Sequence, residues 1–120
     1  MVINLVAIEG KLARPVEQRL LPSGTRMLAL EVTVRRDEGP AETVPVAWFD
    51  APAVAAAWEA GREVVVVGRV RRRFFKSGGT TQSRTEVVAD SVLAASARQR
   101  AQRALREIAA SIEAAADLLG

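Results

Sequence analysis

The chain contains no cysteine and no histidine. Without cysteine there are no disulfides and no thiolate metal sites, which fits a reducing compartment. Without histidine as well, imidazole general-base catalysis, thiol nucleophiles and the usual zinc ligand sets are all excluded. The acids of the first 90 residues show no Asp-x-Asp or paired spacing of the kind that Mg²⁺ phosphate chemistry uses. Gly78-Gly79 lacks the strand-to-helix context of a phosphate loop and reads as a hairpin turn. The residues therefore point away from an enzyme and imply no metal and no cofactor. Apolar runs of roughly 18 residues are also missing, because Asn4, Glu9 and Lys11 interrupt the apolar N-terminus. Neither a membrane span nor a signal peptide is expected, and the chain reads as soluble and cytoplasmic.

What the sequence does hold is arginine. Its 120 residues, 49% hydrophobic, suit one domain with an appendage, and its net charge is only +3. Yet 15 of the 17 cations are arginine, whose planar fork suits phosphate and whose plane can stack on bases. Five basic residues fall between Arg69 and Lys76, on a segment that leaves the valine run Val64 to Val67 and ends at Gly78-Gly79. Side chains alternate between faces along a strand, so Arg69, Arg71, Arg73 and Phe75 share one face while Val70, Arg72 and Phe74 share the other. Cations in a row can follow a phosphate backbone, and an exposed ring gives an unpaired base a stacking surface, the combination that single-stranded nucleic acid requires. A basic strand can also be a solvated edge that discourages aggregation. Five cations with Glu63 as the one acid in the strand leading to them exceed that need.

The chain divides into a strand-rich body, about residues 2–93, and a helical tail, about 95–119. Val2 to Leu12 is apolar, and Gly10 within it signals a bulge or a close backbone approach. Pro15 and then Leu21-Pro22-Ser23-Gly24 carry turn chemistry. Leu28, Leu30, Val32 and Val34 alternate with Ala29, Glu31, Thr33 and Arg35, the period of a half-buried strand. Val44, Val46 and Trp48 alternate in the same way with Thr43, Pro45, Ala47 and Phe49. Asp50 to Gly61 reads as a short helix with an Asp cap, an early proline and a terminal glycine. Glu63 to Phe75 and Thr81 to Leu93 form a last hairpin. Three strands, a short helix and two more strands match a mainly β fold, the five-stranded Greek-key barrel of the oligonucleotide-binding (OB) type, with its helix between strands 3 and 4 and a C-terminal α-helix appended. The expected division is a nucleic-acid-binding domain over 1–94 and an amphipathic helix over 95–120.

Five segments taken together resemble the bacterial single-stranded DNA-binding proteins: Asn4 to Leu12, Leu21 to Gly24, the Gly61 to Gly68 spacing, the basic run with Phe74-Phe75, and Thr85 to Asp90. Each is weak alone, but they cover nearly the whole body and occur in order. The resemblance implies sequence-tolerant binding of single-stranded DNA in replication, repair or recombination, and assembly into tetramers through barrel edges, with Val2 to Ile8 as a candidate edge, whereas a coiled pairing of tail helices would instead favour dimers. It matches Phe75 and Phe49 to stacking aromatics, and parity sets Phe49 on the face opposite the apolar Val44, Val46 and Trp48, which leaves Trp48 for the core. The candidate DNA-contacting set is Arg35, Arg36, Phe49, Arg69, Arg71, Arg73, Phe75, Lys76 and Arg84. Thr43 and Pro45 stand where the family often has a tryptophan and an arginine, so this face is poorer in rings and richer in arginine. Since ion release fades steeply with salt whereas stacking does not, strongly salt-sensitive binding is expected. Two other readings share the fold: an interaction module similar to primosomal replication protein N, and RNA binding, which stacking and phosphate contact do not distinguish.

The tail departs from the family. Replication members generally end in a disordered linker with an acidic tip, whereas here Ala97, Ala101, Ala104, Leu105, Ile108, Ile112, Ala115 and Leu119 follow helical spacing. Arg98, Arg100, Arg103 and Arg106 crowd the first half, against the helix dipole, and Glu113 and Asp117 lie in the second. The stripe is expected to pack on the barrel or on a twin helix. Alternatively, the arginines extend the DNA path or the helix docks a replication or repair protein.

Overall fold

The computed structural model describes residues 3–120; Val2, where the sequence reading begins the first strand, lies outside them. β1 (Val6–Leu12), β2 (Glu17–Leu20), β3 (Arg26–Val34) and β4 (Glu42–Phe49) precede a 3-10 turn at Ala53–Ala57, after which come β5 (Glu63–Ser77), β6 (Thr80–Ala94) and the helix α1 (Arg98–Leu119). The strands form one sheet in the order β1-β5-β6-β4-β3-β2, closed by a β1–β3 pairing. That closure is brief, Lys11 to Thr33 and Leu12 to Val32, so the edge of β1 before Lys11 has a ladder partner on one side only. Gly10 sits where the closure begins, and a Cβ there would run into the Thr33 carbonyl, which is the close approach its position in the strand implied.

The core follows the alternation read from the sequence. Leu28, Leu30 and Val32 of β3 meet Val46 and Trp48 of β4, Val64 and Val66 of β5, and Val87, Ala89 and Val92 of β6. Trp48 is buried there against Trp58, ring centroids 5.9 Å apart. Gly78 and Gly79 both take positive φ, 60° and 83°, and make the two-residue turn that joins the long β5–β6 arm. The turn fixes the register: Arg71 faces Glu86, Arg73 faces Arg84 and Phe75 faces Gln82.

Two expectations are corrected. The sheet has six strands, not five, because Glu17–Leu20 pairs with β3. Its four residues are all exposed and mostly polar, so backbone hydrogen bonds beyond the Leu21–Thr25 turn hold it and no apolar period announces it. The helix expected between the third and fourth strands is a 3-10 turn of five residues between β4 and β5. Asp50 does not cap it, since Pro52 holds the cap position and Asp50 adopts a left-handed φ of 56°. A segment that buries one alanine, Ala55, gains too little to sustain a longer helix.

α1 lies against β5 and β6. It buries Ala101, Ile108 and Ala115, one residue per two turns, while Leu105, Ile112 and Leu119 remain exposed. The single apolar stripe read from the sequence is thus two adjacent stripes, one facing the barrel and one facing solvent. Among the described residues no helix is long and apolar enough to cross a membrane.

Candidate nucleic-acid interface

The outer face of the barrel carries a groove of about 450 Å³ whose floor is made by small side chains, Ala29 of β3 and Pro45 and Ala47 of β4. Phe49 stands at one end of this row, and Arg71, Arg73, Arg84 and Glu86 line the wall formed by β5 and β6. Strand parity brings them together: Thr43, Pro45, Ala47 and Phe49 point out where Val44, Val46 and Trp48 point in, and Arg71 and Arg73 point out beyond the valines. Phe49 and Trp48 therefore occupy the sides assigned to them from sequence.

Three cations of the groove, Arg71, Arg73 and Arg84, are not free. Glu86, only 6% exposed, accepts a hydrogen bond from Arg71 at 3.0 Å through one oxygen and from Arg73 at 3.2 Å through the other. Arg84 donates to Glu31 at 3.0 Å, joining β6 to β3 across the groove. A buried carboxylate needs such partners, because an ion out of water without one costs several kcal/mol. The guanidinium of Arg71 also lies over the Phe49 ring, 5.3 Å from its centroid, and that of Arg73 over Phe75 at 5.0 Å. The Arg71 Nε is buried with no acceptor among the described residues, an unmet hydrogen bond in the middle of the face.

The remaining candidates are dispersed. Arg69 and Lys76 are exposed on the arm and have no ion-pair partner among the described residues, and neither lines the groove. Arg35 and Arg36 are exposed past the end of β3, where Arg36 reaches Glu42 at 3.7 Å. Phe74, 67% exposed, projects on the opposite face of the arm under Arg72, which also donates to Ser83. Residues not singled out from the sequence complete the groove: Arg14, Arg19 and the three glutamates Glu17, Glu31 and Glu86. Glu86 was within reach of sequence reasoning, because a two-residue Gly-Gly turn pairs positions 71 and 86. Among the described residues no cluster of three or more His, Cys, Asp or Glu could hold a metal ion.

A closed barrel, antiparallel except for the parallel β4–β6 ladder, with a basic, aromatic groove on its outer face defines a protein of the OB type. The model of the single-strand binding protein family matches residues 3–95, and the chain belongs to that family. Its fold is similar to that of the single-stranded DNA binding protein from Thermus aquaticus. The wild-type structure gives a TM-score of 0.63 at 22% identity, covering 77% of this chain, and a deletion mutant gives 0.64 at the same identity and coverage. The chain spans 40% of the length of each of those proteins. No curated protein matches it.

Proposed function

We propose that the barrel binds single-stranded DNA without reading its sequence, laying the strand through the groove and out along the β5–β6 arm, in the service of replication, repair or recombination. The observation that carries this is the convergence of Arg71, Arg73 and Arg84 with Phe49 on a floor of small side chains, in a chain whose family is the single-strand binding one. Small floor residues leave room for a base, and a base entering here meets a guanidinium already lying on a ring, a surface on which any of the four can stack. Neither stacking nor phosphate contact inspects base edges, so sequence preference is weak. Binding, not catalysis, is the activity. Residues 1–94 supply the binding unit, and the one-sided edge of β1 supports assembly of copies through that strand.

The ion pairs lower the salt dependence expected from the arginine count. A phosphate that reaches Arg71, Arg73 or Arg84 meets a cation whose charge a neighbouring carboxylate partly cancels, so fewer of the cations condensed on the strand are released. The unpaired Arg69 and Lys76 release counterions in full, about 0.7 in log–log slope for each phosphate neutralised on a single strand.

Titration of a fluorescent oligo-dT at several salt concentrations, with duplex DNA and RNA as competitors, tests the reading. Submicromolar binding that is lost when Arg69, Arg71 and Arg73 are all replaced by Ala supports it. A folded wild-type protein that ignores oligo-dT would sink it in favour of an interaction module, and tighter binding of RNA would reassign the ligand.

A further inference from the structure

The outer stripe of α1 is continuous. Leu105, Ala109, Ile112, Ala116 and Leu119 succeed one another at spacings of four and three, and all five are exposed. They run beside the buried row Ala101, Ile108 and Ala115, so the helix uses one flank on its own barrel and presents a second, equally apolar flank to solvent. Large and small side chains alternate along this flank, which lets another helix approach closely with its own large residues over the small ones.

The charges along its border indicate what lies there. Arg106 and Glu113 each follow a stripe residue, about 100° further round the helix, and they stand two turns apart in one row. Both are exposed and neither has an ion-pair partner among the described residues. Over the whole helix all four arginines, Arg98, Arg100, Arg103 and Arg106, fall in the first half, with Glu107 as the one acid among them, and Glu113 and Asp117 fall in the second. Its N-terminal turn has no acid and its last turn no base, so each end leaves the helix dipole unopposed. One helix reverses every one of these features: the same helix running the other way.

We infer that α1 is a self-association element, pairing antiparallel with α1 of a second copy of this chain through Leu105, Ala109, Ile112, Ala116 and Leu119. Arg106 of each copy then lies beside Glu113 of the other, which sets Leu105 over the second copy's Ala116 and Ile112 over its Ala109. A parallel pair is disfavoured because it would set Arg106 beside Arg106 and Glu113 beside Glu113. The surface is separate from the DNA groove and from the edge of β1, so it joins copies whatever those two do.

The test is molar mass by light scattering on the full chain, over a range of concentrations, with melting temperature and oligo-dT binding measured in parallel. Ile112→Glu is expected to halve the mass of the wild-type assembly while leaving the melting profile of the barrel and the affinity for oligo-dT unchanged. Arg106→Glu alone and Glu113→Arg alone are each expected to do the same, because each sets like charges together twice. Mixing these two variants is expected to restore the wild-type mass, since every border pair is then matched again. Wild-type mass retained by Ile112→Glu and by both charge variants would overturn the pairing. So would a mixture that stays at half mass while each variant alone melts normally, because that result removes the antiparallel register.

Discussion

The groove and the helix each hold several arginines, and they treat them in opposite ways. In the groove Arg71, Arg73 and Arg84 are half-buried or lean on their neighbours, and every one is paired with a glutamate. On the helix Arg98, Arg100, Arg103 and Arg106 are exposed and none has an ion-pair partner among the described residues. The difference is solvent. Water solvates an exposed guanidinium at no cost, whereas one drawn against a sheet needs a carboxylate, and the carboxylate in turn is buried only because two arginines hold it. The number of arginines in a segment is therefore a poor measure of the charge it offers a ligand.

The sharpest way to break this contrast is Glu86→Gln. Losing the carboxylate that holds both Arg71 and Arg73 is expected to cost about 2–4 kcal/mol of stability, at the lower side of buried pairs because the arginines are one-third exposed. At the same time the freed cations should steepen the salt dependence of oligo-dT binding, so denaturant melts and salt titrations on this variant move in opposite senses. An unchanged slope would mean that Glu86 does not restrain the groove. Next in size, Phe49→Ala should weaken binding by roughly 1–3 kcal/mol with no change in slope, because stacking releases few counterions. Fluorescence anisotropy at two salt concentrations distinguishes that from a lost phosphate contact.

A smaller effect separates the free from the paired cation on one strand. Arg69→Ala is expected to lower the log–log slope by about 0.7, whereas Arg71→Ala lowers it less, since its charge is already met by Glu86. Equal slopes for the two variants would show that the ion pair opens fully when DNA arrives. Smallest of all, Arg100→Ala and Arg103→Ala should change stability by no more than about 0.5 kcal/mol and leave oligo-dT affinity as it was. A many-fold loss of affinity from either would place the helix on the DNA path.

Much of this was legible in the residues. The core positions of β3 and β4, the opposite sides of Trp48 and Phe49, the close approach at Gly10 and the hairpin at Gly78-Gly79 all follow from periods of two and from glycine chemistry, which are local. β2 was not legible because a wholly exposed, mostly polar strand has no apolar period and is held by its ladder to β3. The 3-10 turn was overread as a helix because Asp, Pro and Gly are helix boundary signals even where the segment between them buries too little to fill one.

The sequence by itself determined which side chains share a face, because alternation along a strand and spacing along a helix depend only on backbone geometry. It therefore determined that Arg69, Arg71, Arg73 and Phe75 share one face of their strand, and that α1 is amphipathic. Only the tertiary structure decided which of those cations are available and which half of the helical stripe is covered. Glu31 reaches Arg84 from a strand two places away in the sheet, and α1, lying on β5 and β6, buries only the row Ala101, Ile108 and Ala115. Both outcomes depend on what stands opposite a residue in space, and for Glu31 and Arg84 that partner is 53 positions away along the chain.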